Sequence, residues 1–294
     1  MLVNPHSAGG RTLKLLPEVE RRLESWSIPY RVVRTESLEH GIGEARRAVE
    51  AGELPVVMSG DGLVGQVGGA LAGTDALMGI IPGGRGNDLA RVLGIPSDPD
   101  GAVAVLATGN ERRIDVGVAN ERPFLGVASC GFDSDANRIA NEARLVRGNL
   151  VYAYAAIRAL IAWRPARFTI VLDGGEPIEY AGYSVAAANS RAFGGGMFVA
   201  PHAELDDGKL DVITVSDVSK LRYVKGLPKA FKGAHLDNEE VSERRAATLE
   251  IRADRDFELY ADGEHLTDLP ATIGVLPGAL RVIAPPGPLV GPPS

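Results

Sequence analysis

Three glycine-rich loops in the first ninety residues constrain the fold more than any other feature of this chain. They span Asn4–Gly10, Ser59–Gly65 and Ile81–Asp88, and the runs around them alternate between strand-like and helix-like patterns. Such alternation indicates βαβ units built on a parallel sheet. The carboxyl ends of parallel strands share one edge, where open α/β sheets bind their ligands. We therefore expect the three loops to lie together at that edge.

The strand and helix signals of this first part are short but regular. The opening strand ends almost at once at Asn4-Pro5, so either it is a stub or the true start of the protein precedes Met1. The other predicted elements are strands at Tyr30–Thr35, Leu54–Met58 and Met78–Ile81 and helices at Leu13–Trp26, Gly43–Ala51 and Leu89–Leu93.

After about Ile114 the pattern changes to a succession of strands, which indicates an antiparallel β domain. Helical patterns interrupt it near Ser134–Trp163 and Lys220–Phe231. We predict an α/β domain at 1–115, a β-rich domain at 116–285 and a disordered, proline-rich tail at 286–294. The predicted strands are Arg167–Leu172, Tyr180–Ala188, Leu210–Ser216, Ala246–Ala253, Phe257–Ala261 and Leu280–Ala284.

Composition excludes several classes of protein. The net charge of −7 argues against a broad nucleic-acid surface, which needs a dominant basic footprint. One cysteine, Cys130, cannot form an internal disulfide, and the five histidines are scattered rather than spaced as metal ligands. We find no signal peptide and no apolar run long enough to cross a bilayer, so we expect a cytoplasmic protein.

One basic run departs from the acidic balance of the chain. The segment from Lys220 to Lys232 contains five cations and no acid. It is either a solvated helix face or a landing patch for anionic lipid headgroups, each cation adding about 1 kcal/mol. The second reading predicts transient contact with the inner membrane face. The five cations are Lys220, Arg222, Lys225, Lys229 and Lys232.

The loop Ser59-Gly60-Asp61-Gly62-Leu63 follows a strand and opens a helix-like run, a position where backbone amides can bind phosphate. Its glycine spacing also fits a dinucleotide fingerprint, but no acid follows the next strand to hold a ribose. Asp61 would repel a pyrophosphate unless a divalent cation lay between them or the acid acted on a hydroxyl. Both conditions favour phosphoryl transfer. The chain has no Walker-type motif.

Together these motifs resemble the catalytic-domain family of diacylglycerol kinases, particularly the bacterial lipid kinases related to sphingosine kinases. The resemblance covers nearly the whole chain. It is carried by Asn4-Pro5-x-Ser7, Gly60-Asp61-Gly62, Ile81-Pro82-x-Gly84-x-Gly86-Asn87-Asp88, Ile114-Asp115-Val116-Gly117, Gly131-Phe132-Asp133, Gly194-Gly195-Gly196-Met197, Asp207-Gly208-x-Leu210-Asp211 and Asp262-Gly263-Glu264.

The resemblance implies an N-terminal α/β domain that binds ATP and a C-terminal antiparallel β-sandwich that shapes a lipid pocket. It implies that a network of Asp61, Asp88 and Asp115 organises the catalytic magnesium through water. The general base is expected at Asp262 or Glu264, and Asp61 is a third candidate by analogy with the sphingosine branch. The implied nucleotide contacts are Asn4, Pro5, His6, Ser7, Ala8, Thr35, Ser59, Gly60, Asp61, Gly62, Leu63, Val64, Gly65 and Arg85, and the implied structural magnesium ligands are Asp207 and the carbonyls of Glu204 and Lys209.

Simpler roles are open for the acids, since Asp88 can cap a helix, Asp115 can end a strand and Asp207-Gly208 can form a hairpin turn. Three positions also depart from the family pattern. Arg85 stands where the family usually has Thr, Gln66 where it has Glu, and Gly65 where it often has Asn. Arg85 could bind a phosphate bidentately or fill the site.

The sequence therefore predicts ATP- and Mg²⁺-dependent phosphorylation of a lipid hydroxyl, on diacylglycerol or a similar amphiphile. One alternative is a kinase for a soluble substrate such as NAD, although the second domain lacks an evident Asn-Glu pair for that nucleotide. Another is a non-catalytic regulator that binds nucleotide or lipid. The identity of the lipid and the oligomeric state stay open, with a homodimer as one option.

Overall fold

The computed structural model describes residues 1–132, 134–135, 158, 160 and 162–293. Its first part alternates strands with helices, as the sequence predicts. The elements are β1 (Leu2–Val3), α1 (Arg11–Ser25), β2 (Val33–Arg34), α2 (Leu38–Glu50), β3 (Val56–Ser59), α3 (Asp61–Leu71), β4 (Leu77–Pro82), α4 (Asp88–Val92) and α5 (Pro99–Thr108).

Strands β2, β1, β3 and β4 pair in that order, and every pairing is parallel. Local signals fix the helices that flank this sheet. Ser37 caps α2 by accepting a hydrogen bond from His40 N–H, and Asp98 caps α5 in the same way from Gly101 N–H. In α1, Leu16, Val19 and Leu23 recur at helical spacing and are buried. The sequence-based α/β assignment is therefore confirmed.

The second part is built from antiparallel strands, also as predicted. Its elements are β5 (Asn110–Ala119), β6 (Arg122–Phe124), β7 (Val127–Gly131), β8 (Ala166–Leu172), β9 (Ile178–Ala188), β10 (Leu210–Ser216), α6 (Lys220–Ala230), β11 (Val241–Ala246), β12 (Thr248–Ala253), β13 (Glu258–Ala261), β14 (Glu264–Asp268) and β15 (Ala271–Ala284).

The strand order of this part is β14, β13, β7, β9, β8, β12, β15, and β10 continues from β9 to β11. Its core is separate from that of the parallel sheet and is rich in aromatic rings. The ring planes of Tyr183 and Tyr223 stack with centroids 4.0 Å apart, and Trp163 stacks on Tyr183 at 5.6 Å. Two distinct cores accord with the predicted combination of an α/β domain and an antiparallel β-sandwich.

Strand β15 links the two cores. Both of its halves pair with β5; the first half also pairs with β12, whereas Arg281 and Val282 also pair in parallel with Leu77 and Met78 of β4. Leu280 and Val282 are fully buried in the first core. The end of β15 thus lies in the N-terminal core, although the predicted division at residue 115 assigns it to the second domain.

The tail predicted to be disordered instead contacts both parts of the chain. Leu289 is buried, and its carbonyl accepts a hydrogen bond from Arg191 Nη1 at 2.9 Å. The amide of Val290 donates to the carbonyl of Val92 at 2.9 Å. The Pro and Gly content of the tail predicts disorder, but burial of the Leu289 side chain supplies hydrophobic free energy that favours an ordered position.

Several element boundaries differ from the prediction. The predicted strand Ala246–Ala253 is two strands that turn at Ala247, and Tyr30–Thr35 shortens to the two residues of β2. Strand β7 was not predicted because small residues fill it. The helix predicted at Ser134–Trp163 lies almost entirely outside the described residues. Within the described residues, every helix is too short or too polar to cross a membrane.

Candidate active site

The three glycine-rich loops meet at the carboxyl edge of the parallel sheet. A Cβ added to Gly60 would lie 3.0 Å from the Cα of Gly84 and 3.5 Å from Ser7 Oγ. Ser7 Oγ donates to the carbonyl of Gly83 at 3.4 Å, and Arg11 reaches the carbonyl of Gly84 at 3.4 Å. Only a residue without a side chain at position 60 lets the loops approach this closely. The predicted convergence of the loops is confirmed.

The predicted nucleotide contacts fall into two groups. Residues of the first loop are partly or fully accessible, and the Asn4 side chain fixes this loop by accepting the amide of His6 at 2.9 Å. Arg85 is exposed at the tip of the third loop. By contrast, Leu63 and Val64 are buried in the N-terminal core, and the Thr35 hydroxyl donates to the carbonyl of Val3. These three side chains support the loops, and nucleotide contact by the whole set stays a prediction.

Asp61 and Asp88 bring two carboxylates together beside the loops. Asp61 Oδ1 accepts the amide of Asp88 at 2.6 Å, and Asp88 Oδ2 accepts the amide of Gly195 at 2.8 Å. A Cβ on Gly86 would lie 2.8 Å from Asp61 Oδ2 and 3.1 Å from Asp88 Oδ2. Glycine at position 86 therefore leaves the space into which both acids point.

This pair fits a divalent cation. Burial, followed by repulsion from Asp88, raises the pKa of Asp61, and burial raises the pKa of Asp88. Asp88 Oδ1 is buried and has no hydrogen-bond partner among the described residues. Both groups would gain from a positive charge between them, and Mg²⁺ prefers carboxylate oxygens. The chemistry of the pair therefore supports the predicted magnesium-binding role of Asp61 and Asp88.

Asp115 is used differently. Its Oδ2 accepts the amide of Gly208 at 2.7 Å, and its Oδ1 accepts the amide of Gly278 at 2.7 Å. The residue is buried at the end of the first core. Both oxygens are thus committed to backbone amides of two loops. This geometry supports a structural role in fixing the two loops, and the part of Asp115 in the magnesium network that the resemblance implies stays a prediction.

Asp262 lies in a two-residue hairpin turn between β13 and β14. Asp262 and Gly263 have φ values of 54° and 87°, and Ala261 pairs with Glu264 across the turn. Positive φ at both central residues is typical of a type I′ turn, which Asp-Gly favours. The turn directs the Asp262 carboxylate inward, where Oδ2 accepts the amides of Leu125 and Gly126 at 3.2 and 3.3 Å.

The neighbourhood of Asp262 explains one departure from the family pattern. A Cβ on Gly65 would lie 3.0 Å from Asp262 Oδ2, so glycine there admits the carboxylate against helix α3. Burial, together with the negative charges of Asp61 and Asp88, raises the pKa of Asp262 to about 7. A carboxylate with this pKa is suited to accept a proton near neutral pH. Glu264 is more exposed, and burial raises its pKa as well.

Asp207 lies beside Arg245, and the structural magnesium site at Asp207 and the carbonyls of Glu204 and Lys209 stays a prediction. Asp207 Oδ2 forms a short ion pair with Arg245, and Asp207 Oδ1 accepts the amide of Lys209 at 2.9 Å. The Glu204 carboxylate pairs with Arg191. The Asp207 carboxylate is thus held between the guanidinium of Arg245 and the amide of Lys209. Sequence reasoning missed Arg245 because it lies on β11, far along the chain from Asp207.

A mostly apolar cavity lies next to the acids. Its floor is one face of β7, β9 and β10. Helix α6 and the following turn cover it, and it is open to solvent. Val127 lines it and directly follows Gly126, whose amide binds Asp262. Phe193 and Met197 line it too, and they flank the loop whose Gly195 binds Asp88. Two short backbone segments therefore connect the acids with the cavity.

Sequence reasoning identified the glycines at 194–196 but missed the residues on either side. Phe193 and Met197 form an isolated antiparallel bridge that closes this loop. Their apolar character beside a glycine run is a signal that could have pointed to the cavity. The floor residues gave no such signal, because alternating small apolar residues are ordinary in any β-sandwich.

Helix α6 carries an apolar stripe on its solvent side. Leu221 is 66% exposed, and Val224, Leu227 and Phe231 follow at helical spacing with 40%, 37% and 47% exposure. The five cations of the basic run are also exposed. Arg222 pairs with Glu240, whose carboxylate is buried at the cavity rim. An exposed helix with this combination of apolar and basic side chains is typical of a membrane interface.

Comparison with known proteins agrees with this architecture. The profile of the diacylglycerol kinase catalytic domain matches residues 1–119, and that of the YegS C-terminal NAD kinase beta sandwich-like domain matches residues 126–284. A crystal structure of a diacylglycerol kinase from Bacillus anthracis superposes with a TM-score of 0.75 at 22% identity, covering 97% of this chain and 96% of that one. An ATP complex of an NAD kinase from Archaeoglobus fulgidus has a TM-score of 0.51 at 11% identity, covering 96% and 92%. These two likenesses show the fold.

Similarity of sequence is closer. A diacylglycerol kinase of Mycobacterium tuberculosis H37Rv is 35% identical over 97% of this chain and 94% of its own length. A protein of Chromohalobacter salexigens named "Probable lipid kinase YegS-like" is 31% identical over 84% of this chain and 81% of its own. With two domain profiles that together span most of the chain, these relatives show that the protein belongs to the diacylglycerol kinase catalytic-domain family of lipid kinases.

Proposed function

We propose that this protein transfers the γ-phosphoryl group of ATP to a hydroxyl of diacylglycerol or a similar amphiphile, with magnesium. The observation that supports the proposal is the position of three carboxylates with raised pKa values beside the glycine-rich loops, linked by short backbone segments to an apolar cavity. These carboxylates belong to Asp61, Asp88 and Asp262. A kinase for an apolar alcohol needs these three components side by side.

The loops around Gly60 and Gly84 would bind the phosphates through backbone amides, which tolerate no nearby side chain. Asp61 and Asp88 would hold the magnesium, which supplies charge neutralisation on the transferring phosphate. Asp262 is the favoured base. It would take the proton of the lipid hydroxyl as the hydroxyl oxygen bonds to phosphorus and the bond to ADP breaks. Glu264 and Asp61 stay alternatives for this role.

The cavity would hold the apolar part of the acceptor, and α6 would bring the protein to the membrane. The exposed stripe of Leu221, Val224 and Phe231 would enter the interface, and the lysines of the basic run would bind anionic headgroups. Helix α6 also covers the cavity, so membrane contact and lipid entry would occur at the same place. An apolar cavity favours a lipid acceptor over the soluble nucleotide of an NAD kinase.

Thin-layer separation of products after incubation with γ-labelled ATP tests the proposal. The acceptor panel should contain short-chain diacylglycerol, monoacylglycerol, a long-chain amino alcohol and NAD. We expect a labelled lipid that requires magnesium and is lost in Asp262→Asn. Labelled NADP, or no labelled product with any acceptor while ATP still binds, would contradict the proposal in favour of a soluble-substrate kinase or a regulator.

A further inference from the structure

The peptide unit between Leu125 and Gly126 stands behind the carboxylate of Asp262. The amides of Leu125 and Gly126 both donate to Asp262 Oδ2, at 3.2 and 3.3 Å. In a trans peptide the carbonyl and the amide hydrogen point in opposite directions. The carbonyl of Leu125 therefore points away from Asp262, and a group that holds this carbonyl also holds the Gly126 amide that faces the carboxylate.

Asn189 is the group that holds this carbonyl. Its Nδ2 donates to the carbonyl of Leu125 at 3.0 Å and to the carbonyl of Asp115 at 3.0 Å. Both partners can only accept, so the side-chain atom that faces them must be the amide nitrogen. The backbone amide of Asn189 also donates to the carbonyl of Gly126 at 3.0 Å. One residue thus binds the carbonyls of both Leu125 and Gly126.

The fold keeps Asn189 itself in a fixed position. It directly follows strand β9, whose last residue, Ala188, pairs in register with Val127 of β7. Asn189 is fully buried. An aspartate of the same volume could donate at most one bond here, and only when protonated, whereas asparagine donates both without a charge. The residue type therefore matches the two carbonyls that it binds.

The contact between this backbone and Asp262 is too close to absorb a shift. A Cβ on Gly126 would overlap Asp262 Oδ1, so the carboxylate lies directly against the main chain. Hydrogen bonds that run through one peptide unit also polarise one another, so the bond from Asn189 strengthens the Gly126 amide as a donor. Both effects make the position of Asp262 depend on Asn189, which does not touch it through any of these bonds.

We propose that Asn189 is a positioning residue for the transfer reaction, which holds the peptide unit of Leu125 and Gly126 so that its amides fix the Asp262 carboxylate beside the acceptor hydroxyl. The proposal rests on the proposed function, in which Asp262 is the base. Without Asn189 the base would still be present but would be held less precisely. A misplacement of about 1 Å can lower turnover by about 10²-fold.

A comparison of two backgrounds tests this role. Asn189→Ala should lower kcat about 10- to 100-fold and leave the KM for ATP near that of the parent. In the Asp262→Asn background the same substitution should change kcat by less than about twofold, because the group through which Asn189 acts is already lost. An equal fold-loss in both backgrounds would overturn the proposal, since a merely structural residue would act in either.

Asn120→Ala is the matched control. The Asn120 side chain also joins separate segments, since Nδ2 donates to Thr267 Oγ1 at 3.1 Å and Oδ1 accepts the amide of Thr272 at 2.9 Å. This control should lower the melting temperature and leave kcat unchanged. A loss of kcat in Asn120→Ala as large as that in Asn189→Ala would show that lowered stability alone explains the effect, and would overturn the proposal.

Unfolding in urea tests the same coupling without turnover. At pH 8 the effects of Asn189→Ala and Asp262→Asn on the unfolding equilibrium constant should depart from additivity by about fivefold or more. Additive effects would overturn the proposal, whereas coupling without any lipid phosphorylation would contradict the proposed kinase activity alone. Asn189→Asp, which keeps the side-chain volume, replaces Asn189→Ala if that variant does not fold. Failure of both to fold would assign Asn189 a structural role and overturn the proposal.

Discussion

The edge of the parallel sheet and the cavity of the β-sandwich recognise their ligands by opposite means. At the sheet edge, glycines expose backbone amides, and three acids stand within the electrostatic reach of one another. In the cavity, small apolar side chains line a sheet face, and the amphipathic helix α6 covers it. Recognition at the sheet edge depends on a few atoms in fixed places. Recognition in the cavity depends on the volume of the cavity and on its few polar groups. Substitutions should therefore have abrupt effects at the edge and graded effects in the cavity.

The largest effect is expected where the loops touch. Gly60→Asp would place a Cβ 3.0 Å from the Cα of Gly84 and a carboxylate where phosphate oxygens bind. We expect this variant to lose ATP-dependent thermal stabilisation completely. Gly43→Asp is the matched control, because a Cβ on Gly43 meets nothing within 4 Å. Wild-type ATP affinity in Gly60→Asp would show that the loop does not bind the nucleotide.

The second effect concerns the proposed base. Asp262→Asn should lower turnover by about 10²–10⁴, the usual contribution of general-base catalysis, while ATP affinity stays near that of the parent. Since burial raises the pKa of Asp262 to about 7, parent turnover should fall about tenfold per pH unit below pH 7. A steady-state pH profile measures this. If Asp262→Asn and Glu264→Gln both retain near-parent turnover, Asp61 becomes the favoured base.

Stability provides an internal control for the same variant. The folded-state pKa of Asp262 lies above its ordinary value of 3.8, so ionising this group costs folding free energy. Its contribution to stability is fully present below about pH 4 and is lost as the pH rises through 7. Asn does not ionise, so Asp262→Asn should not lose this stability. Between pH 4 and 7, the free energy of unfolding of the variant minus that of the parent should rise by roughly 1–4 kcal/mol. A gain that does not depend on pH would contradict the raised pKa.

A third variant tests whether Asp115 fixes the two loops or takes part in the magnesium network. Asp115→Asn leaves one oxygen to accept an amide but loses the second acceptor for Gly208 or Gly278. We expect the free energy of unfolding to fall by about 1–3 kcal/mol, with little change in the magnesium concentration that gives half-maximal activity. Asp88→Asn is the comparison and should shift that concentration strongly. If the magnesium concentration for half-maximal activity shifts similarly in both variants, Asp115 takes part in the metal network.

The two regions also differ in how far the sequence predicts them. The convergence of Gly60, Asp61 and Asp88 could be predicted because they stand in short contiguous motifs at the ends of neighbouring parallel strands. Asp115 is an acid and stands in a motif that resembles the family's. Its oxygens nevertheless face Gly208 and Gly278, which lie about 90 and 160 residues further along the chain. Nothing local to Asp115 carries that information.

The cavity shows the same limit more strongly. Ser129 and His235 are ordinary residues on a strand and a short turn, and only the register of β7 with β9 and the fold of α6 over the sheet bring them to one cavity. The ion pair of Asp207 with Arg245 likewise depends on the pairing of β10 with β11. Contacts that require strand register between distant segments could not be predicted from local sequence patterns.

The smallest effect is expected on the membrane side of the cavity, where contacts are exposed and many. Reversing the charges of Lys225 and Lys229 should weaken binding to anionic vesicles about tenfold or more, with a difference that shrinks at high salt. Activity on a short-chain, dispersed substrate should stay unchanged, since neither lysine is among the acids proposed to act in catalysis or among the residues that line the cavity. Sedimentation with vesicles measures the first quantity. The matched control reverses Lys14 and Arg21, exposed cations of α1 in the other domain. Equal loss of activity on vesicles and on dispersed substrate would mean that α6 supports the fold or the active site instead. Substitutions at the cavity would then have effects as large as those at the sheet edge, contrary to the comparison made above.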